Sequence, residues 1–260
     1  MTIAKFAPSL AARAACAAAP PAGSGAITTV SLSLYRFAPG PPRLWAFWMM
    51  AEARLRLWRT PGLRFWKLCG GGTRGGFTPI PNMEICAILA VWPDTAAAAR
   101  GTESGVFARY AARADENWTV FMQPLSTRGR WARREPFAAG ADPGRGPLAV
   151  LTRASLRPRA LPRFWGHVPG VDARIAGNPD VLFRIGIGEV PFLHQVTFSI
   201  WPDAAAMIRF ARGDAAHAGA VQAVRAGGWF REELYARLRV VGARGSWGGT
   251  APLATGEVAA

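Results

Sequence analysis

The chain repeats itself, and this duplication limits its possible folds more than any other feature. The segment AILAVWPD at 87–94 precedes an alanine-rich stretch, and VTFSIWPD at 196–203 precedes another. Trp92 and Trp201 stand 109 residues apart. Each half then closes on a related signature, RGRW at 128–131 and RGSW at 244–247. Self-similarity of this kind marks a supersecondary unit present in two copies.

The order of elements repeats as well. Residues 28–37 alternate and are rich in β-branched and aromatic side chains, which predicts a strand. A helix pattern at 43–59 is stopped by Pro61 and Gly62. Strands follow at 63–68 and 83–92, the second closed by Pro93. Asp94 stands at an N-cap position, the helix it opens extends to about 114, and a last strand covers 118–125. The second half predicts strand 148–155, helix 160–176, strands 181–187 and 193–201, helix 203–226 and strand 234–241. This is β-α-β-β-α-β twice, the ferredoxin-like unit, whose sheet has one face under helices and one face bare. Two copies can bury their bare faces against each other. The expected fold is therefore α+β, a tandem ferredoxin-like repeat (28–131 and 148–247) forming a dimeric α+β barrel within one chain. Residues 132–147 are the expected linker, with 1–27 and 248–260 as disordered tails. The rival arrangement is two such domains that share no barrel.

Composition narrows the function classes. Half of the 260 residues are hydrophobic, too many for a disordered chain. No apolar run reaches the roughly 18 residues that a membrane-spanning helix needs. The three cysteines, Cys16, Cys69 and Cys86, form neither a disulfide framework nor a zinc pattern. The net charge of +15 invites a nucleic-acid reading, but its make-up argues otherwise. All but two of the basic residues are arginines, spread along the chain without a continuous run, and no stacking motif accompanies them. A basic surface beside 11 Trp and 14 Phe suits the interface of an anionic membrane. Trp45, Trp48 and Trp58, with Arg54, Arg56 and Arg59, are the candidate contact.

Strand parity places a candidate pocket. His194, Val196, Phe198 and Ile200 share one face, as do Ile85, Ala87, Leu89 and Val91 in the first copy. That apolar face is expected under the helices, and the mixed face (Gln195, Thr197, Ser199) in the barrel. On the following helix Met207, Phe210, Asp214, His217, Val221 and Val224 form one stripe, which points His217 inward. A lone histidine on an apolar face is more often a hydrogen-bonded core residue than a ligand. His167, beside Pro169, reads as a surface or capping residue, and adjacent Glu232 and Glu233 as solvated.

Several long segments resemble one family. FWKL at 65–68, GFTPIPN at 76–82, GEVP at 188–191, HQVTFSIWPD at 194–203 and GWFREELYAR at 228–237 are similar to the spheroidene monooxygenases, carotenoid ketolases of purple phototrophic bacteria. The likeness extends from about 30 to 247. It implies oxygenation of an acyclic carotenoid at C-2 with O2 and reduced ferredoxin. Two hydroxylations of one carbon would give a gem-diol that loses water to the ketone. It also implies a cytoplasmic protein in peripheral contact with the photosynthetic membrane.

Side chains alone cannot activate O2 for insertion into a C–H bond, so a cofactor is expected. The resemblance associates the family with haem. A more distant likeness to haem monooxygenases of the dimeric α+β barrel type makes His217 the expected axial ligand, with Tyr110 at the corresponding place in the first copy. His194 is then the expected catalytic polar group, Phe198, Met207 and Phe210 the apolar wall, and Arg209 or Arg212 the propionate partner. Three alternatives stay open: a cofactor-free oxygenase, a non-enzymatic haem or carotenoid carrier, and a basic nucleic-acid-binding module.

Overall fold

The computed structural model describes residues 28–73, 78, 80–213 and 227–253. The first half contains β1 (Thr29–Arg36), α1 (Pro41–Trp58), β2 (Phe65–Gly72), β3 (Pro81–Trp92), α2 (Thr95–Thr102), α3 (Gly105–Ala111) and β4 (Glu116–Gly129). The second contains β5 (Leu148–Leu156), a 3-10 turn (Pro158–Ala160), α4 (Leu161–Ala176), β6 (Phe183–Val190), β7 (His194–Trp201), α5 (Ala204–Gly213) and β8 (Phe230–Gly245). The expected tail at 1–27 and the C-terminal part of the helix expected at 203–226 lie outside the described residues.

The repeated tryptophan-proline-aspartate motif forms because each residue has one job. The tryptophan ends an inner strand, the proline breaks it, and the aspartate caps the next helix. Asp94 accepts a hydrogen bond from the Ala97 backbone N–H at 2.7 Å, and Asp203 accepts one from Ala206 at 2.7 Å.

The strands close into one antiparallel barrel in the order β1-β3-β2-β6-β7-β5-β8-β4. Each half contributes its strands as β4-β1-β3-β2 and β8-β5-β7-β6. Two seams join the halves. The β4–β8 seam is long, from Trp118 opposite Gly245 to Gly129 opposite Leu234. The β2–β6 seam has only two pairs, Gly70 with Gly188 and Gly71 with Ile187, so the strands part beyond it.

Which face fills the barrel is the reverse of the sequence expectation. Ile85, Ala87, Leu89, Val91, Val196, Phe198 and Ile200 point into the barrel, where they pack with Val30, Leu32 and Leu34. Cys86, Ile88 and Ala90 lie under the helices. A closed barrel interior admits no water, so it takes the uninterrupted apolar parity. The outer face tolerates polar residues wherever they are paired or wet. Trp92 Nε1–H, for example, donates to the buried Ser31 hydroxyl at 2.9 Å, and the Thr119 hydroxyl donates to Ser33 at 2.9 Å.

The segments after β4 and β8 are not passive connections. Each forms a short turn, bridged Trp131–Arg134 and Trp247–Thr250. Trp131, at the end of the first expected repeat, Phe137, from the expected linker, and Leu253, from the expected C-terminal tail, all belong to the barrel core. Each turn also latches onto the other half. Glu116 at the start of β4 accepts from Gly249 N–H at 2.8 Å, and Glu232 near the start of β8 accepts from Ala132 and Arg133 at 2.9 and 2.7 Å.

The first half is tightly covered by its helices. The single helix expected up to 114 is two, α2 and α3, separated at Glu103–Ser104. Gly101 lets α2 lie on the sheet, because a Cβ there would stand 2.3 Å from the Trp92 ring. Gly101→Ala should therefore destabilise the protein by about 1–3 kcal/mol through overpacking, read as a lower urea midpoint. An unchanged midpoint would show that the Trp92 ring can move aside.

Among the described residues, the second half is covered more thinly. No described side chain of α4 is buried, Pro169 and two glycines interrupt its sequence, and Thr197 is exposed in the middle of β7.

Candidate active site

The ladder pairings superimpose one half on the other. Arg36 pairs with Ile85 and Glu116, and Ser155 pairs with His194 and Glu232. Phe65 faces Val91 just as Phe183 faces Ile200. In this register Arg153 corresponds to Leu34, His194 to Ile85, Glu189 to Gly71, and Lys67 to Ile185. At one mouth of the barrel, four inward positions carry ionisable side chains where the other copy has an apolar residue or glycine. A barrel rim needs no such set for packing, so the loss of symmetry points to chemistry.

The four groups meet beside the parted β2–β6 seam. Lys67 Nζ lies 2.7 Å from Glu189 Oε1, an ion pair that spans the opening. Trp131 Nε1–H donates to Glu189 Oε2 at 2.7 Å, and Arg153 Nη2 lies 3.7 Å from the same oxygen. Arg153, only 3% exposed, also pairs with Glu232. Such a buried cation persists only with its carboxylates in place. The Glu232 carboxyl is held below the usual carboxylate range. Burial opposes this, but the Arg133 and Ala132 N–H groups and Arg153 together prevail. Ala132 and Arg133, at φ 53° and 63°, occupy the left-handed region without being glycine, where the equivalent turn has Gly248 and Gly249. Backbone strain is thus concentrated at this mouth.

His194 sits at the centre of the arrangement. Its Nδ1 is 3.8 Å from Glu189 Oε2. Burial lowers its pKa, Glu189 opposes that shift, and the Arg153 and Lys67 cations reinforce it. The imidazole is therefore neutral at physiological pH and keeps a free lone pair. It lines two clefts. One, of about 510 Å³, has Ser155, Leu156, Arg157, Arg159, Leu193 and Arg231 as walls. The other, of about 520 Å³, runs from Arg54, Leu57 and Trp58 past Phe65 and Trp66 to Lys67 and Glu189. The result is a polar junction between a cationic cleft and an aromatic one.

Other sequence-predicted residues are dispersed. Phe198 is inside the barrel against Phe183, whereas Met207 and Phe210 pack on Trp201 outside it. The sheet separates them, so they form no common wall. Arg209 is paired with Asp180 at 2.9 Å on the surface, which removes it as a free anion partner. The side chain of Arg212 and all of His217 lie outside the described residues. Glu232 is bound to Arg153 rather than solvated. Trp45 packs against Phe37 and Tyr110 instead of facing outward. His167 stays near the surface, with Nδ1 2.7 Å from the Arg163 carbonyl oxygen. Tyr110 is fully buried among Tyr35, Phe37 and Trp45, so aromatic rings fill the corresponding layer of the first half.

Sequence reasoning missed Lys67, Arg153, Glu189, Glu232 and Trp131. A usable signal existed: alignment of the two copies pairs each mouth charge from β2, β5, β6 and β7 with an apolar residue or glycine.

No protein-family model matches the chain. Curated relatives do. The chain is 47% identical over 229 residues to the spheroidene monooxygenase of Cereibacter sphaeroides, covering 86% of this chain and 70% of that protein. It is 45% identical over 231 residues to the spheroidene monooxygenase of Rhodobacter capsulatus, covering 86% and 95%. The chain belongs to the spheroidene monooxygenase family. It is thus a monooxygenase, as its resemblance implied. Its fold is also that of an aldoxime dehydratase, with a TM-score of 0.57 at 11% identity over 82% of this chain and 81% of that one. A second aldoxime dehydratase, solved with butyraldoxime, gives 0.54 at 14% identity over 83% and 80%. Among the described residues, no helix is long and apolar enough to cross a membrane.

Proposed function

We propose that this protein oxygenates an acyclic carotenoid of the spheroidene type at C-2, twice at the same carbon, to give the 2-ketone. The observation that carries this reading is the junction at His194, where an aromatic cleft meets a cationic one. We read the two halves as fused ferredoxin-like units in which the second-half positions of this mouth, together with Lys67, diverged toward catalysis.

Each hydroxylation consumes O2, two electrons and two protons, inserts one oxygen into C–H and releases the other as water. Reduced ferredoxin is the proposed donor. The resulting gem-diol expels water without further oxidation. Leu57, Trp58, Leu63, Phe65 and Trp66 supply an apolar wall for the polyene. Lys67 and His194, at the inner end of that wall, orient the methoxy terminus by hydrogen bonding. Glu189 holds the Lys67 and Arg153 cations in place beside the neutral imidazole.

Haem is the proposed oxidising group, and it would supply the oxygen activation that the side chains lack. The donor set of the cationic cleft fits it. Three arginines and the apolar Leu156 and Leu193 suit a flat, dianionic tetrapyrrole. Arg157, Arg159 and Arg231 would pair with its propionates. His217, which lies outside the described residues, is the residue we propose would hold the haem, and His194 would be the polar group beside the substrate.

The test is the visible spectrum of protein produced with ample haem supply, beside His217→Ala and His194→Ala. The expected result is a Soret band near about 400 nm, lost or shifted in the His217 variant and little changed in the His194 variant. A band that survives in His217→Ala but not in His194→Ala reverses the two roles. No band in any of them removes haem from the mechanism.

A further inference from the structure

The outer face of α1 is anomalous for a helix on a globular surface. Ala46, Met49, Ala53 and Leu57 are buried against the sheet. The opposite face, which should be polar, presents Leu44, Phe47, Trp48, Leu55 and Trp58, each at least 50% exposed. Leu44, Trp48, Leu55 and Trp58 lie within one stripe at helical spacing. A helix apolar on both faces belongs in a buried environment, so the exposed stripe lacks its partner.

Two observations identify that partner. The first is charge. Arg54 and Arg59 flank the stripe, with Arg56 beside them paired to Glu52, and the chain carries +15 overall. Two copies meeting through this face would bring their arginines together, whereas an anionic surface complements them. The second is continuity. Arg54, Leu57 and Trp58, at the C-terminal end of the same helix, line the aromatic cleft that runs to Lys67 and His194. The exposed stripe is therefore the lip of the cleft.

We infer that α1 lies in the interface of an anionic lipid bilayer, with Leu44, Trp48 and Leu55 among the acyl chains and the arginines at the headgroups, so that a lipid-dissolved substrate passes from the bilayer into the cleft along Trp58. This rests on the proposed carotenoid substrate for its purpose but not for its test, which requires no turnover.

The experiment is co-sedimentation of the full chain with vesicles of phosphatidylcholine alone and of phosphatidylcholine mixed with phosphatidylglycerol. Two variants accompany it, Leu44→Ser/Trp48→Ser and Arg59→Ser, whose positions do not line the cleft. The intact protein should bind the anionic vesicles and release with rising salt. The double variant should bind at least about tenfold more weakly, with its circular dichroism and oligomeric state unchanged. Arg59→Ser should lose part of the anionic preference. Equal binding by the intact protein and the double variant, or no binding to either vesicle, overturns the inference. So does a double variant that turns an associated protein into a monomer, because the stripe is then a contact between copies. Vesicle binding that behaves as expected in a protein inactive on carotenoids would keep this surface and refute the substrate.

Discussion

Replacement of His194 by alanine should lower ketone formation by at least about 100-fold while the barrel stays folded. The side chain is half-buried at the very start of β7, so its removal leaves no sealed cavity in the core. Its chemical position is another matter, since it is the only group that lines both clefts among those described. Turnover of spheroidene with a reduced electron donor, compared at equal folded protein, is the measurement. Activity within a few-fold of the intact protein would remove His194 from the reaction. The pH dependence adds a second reading. Burial depresses the folded pKa of His194 below 6.5, so the neutral form persists to lower pH than in an ordinary histidine. The acid limb of kcat/KM should then lie below pH 6.5. Glu189→Gln removes the anion that opposes the depression and should move that limb lower still. A limb that stays in place would show that Glu189 does not act through the imidazole. The sign for stability follows from the same shift. The contribution is fully present above pH 6.5 and is lost as pH falls, because the unfolded chain takes up the proton first.

Glu232→Ala should be the most destabilising single change at the mouth, by about 3–5 kcal/mol. It strands the Arg153 cation, which is 3% exposed, with Glu189 as its remaining anion at 3.7 Å. It also frees the Ala132 and Arg133 N–H groups and so loosens a turn already in left-handed geometry. For a chain of this size each kcal/mol moves Tm by roughly 2–4 °C, so the expected fall is roughly 6–20 °C. Thermal melts followed by circular dichroism measure it. A fall of about 2 °C or less would show that the turn is held by Trp131 alone. The depressed Glu232 carboxyl gives this stabilisation a pH window. It is present above the ordinary carboxylate pKa and is lost as pH falls through the lowered one. The Glu116 partner in the other half should show a milder version, because Arg36 is a third exposed and can rehydrate.

The clarity of the sequence varied with the kind of constraint. Element order was readable because each strand and helix carries its own period, and both copies gave the same answer. The capping role of Asp94 was readable for the same reason, since a cap acts over three residues; Asp203, expected inside its helix, caps it in the same way. Helix division at Glu103–Ser104 was not readable, because it depends on how Gly101 meets the Trp92 ring across the layer. Parity correctly grouped Ile85 with Ala87, and His194 with Val196. It could not say which group faces inward, because both faces of a covered barrel are apolar enough to be either.

The candidate site was harder to read, and for a definite reason. Lys67, Arg153, Glu189, His194 and Glu232 come from five strands, separated by up to 165 positions between Lys67 and Glu232. Each alone looks like an ordinary polar residue at a strand end. Their meaning comes from closure, which brings β2 beside β6 and lets the turn after β4 reach Glu232. The sequence by itself determined the α+β order of elements, the cap at Asp94 and the family, because all of these are written in local pattern or in contiguous segments. The tertiary structure alone decided which face fills the barrel, where the two seams close, and that one mouth carries paired charges around His194. These depend on distances between strands remote in sequence, and on the exclusion of water from a closed interior.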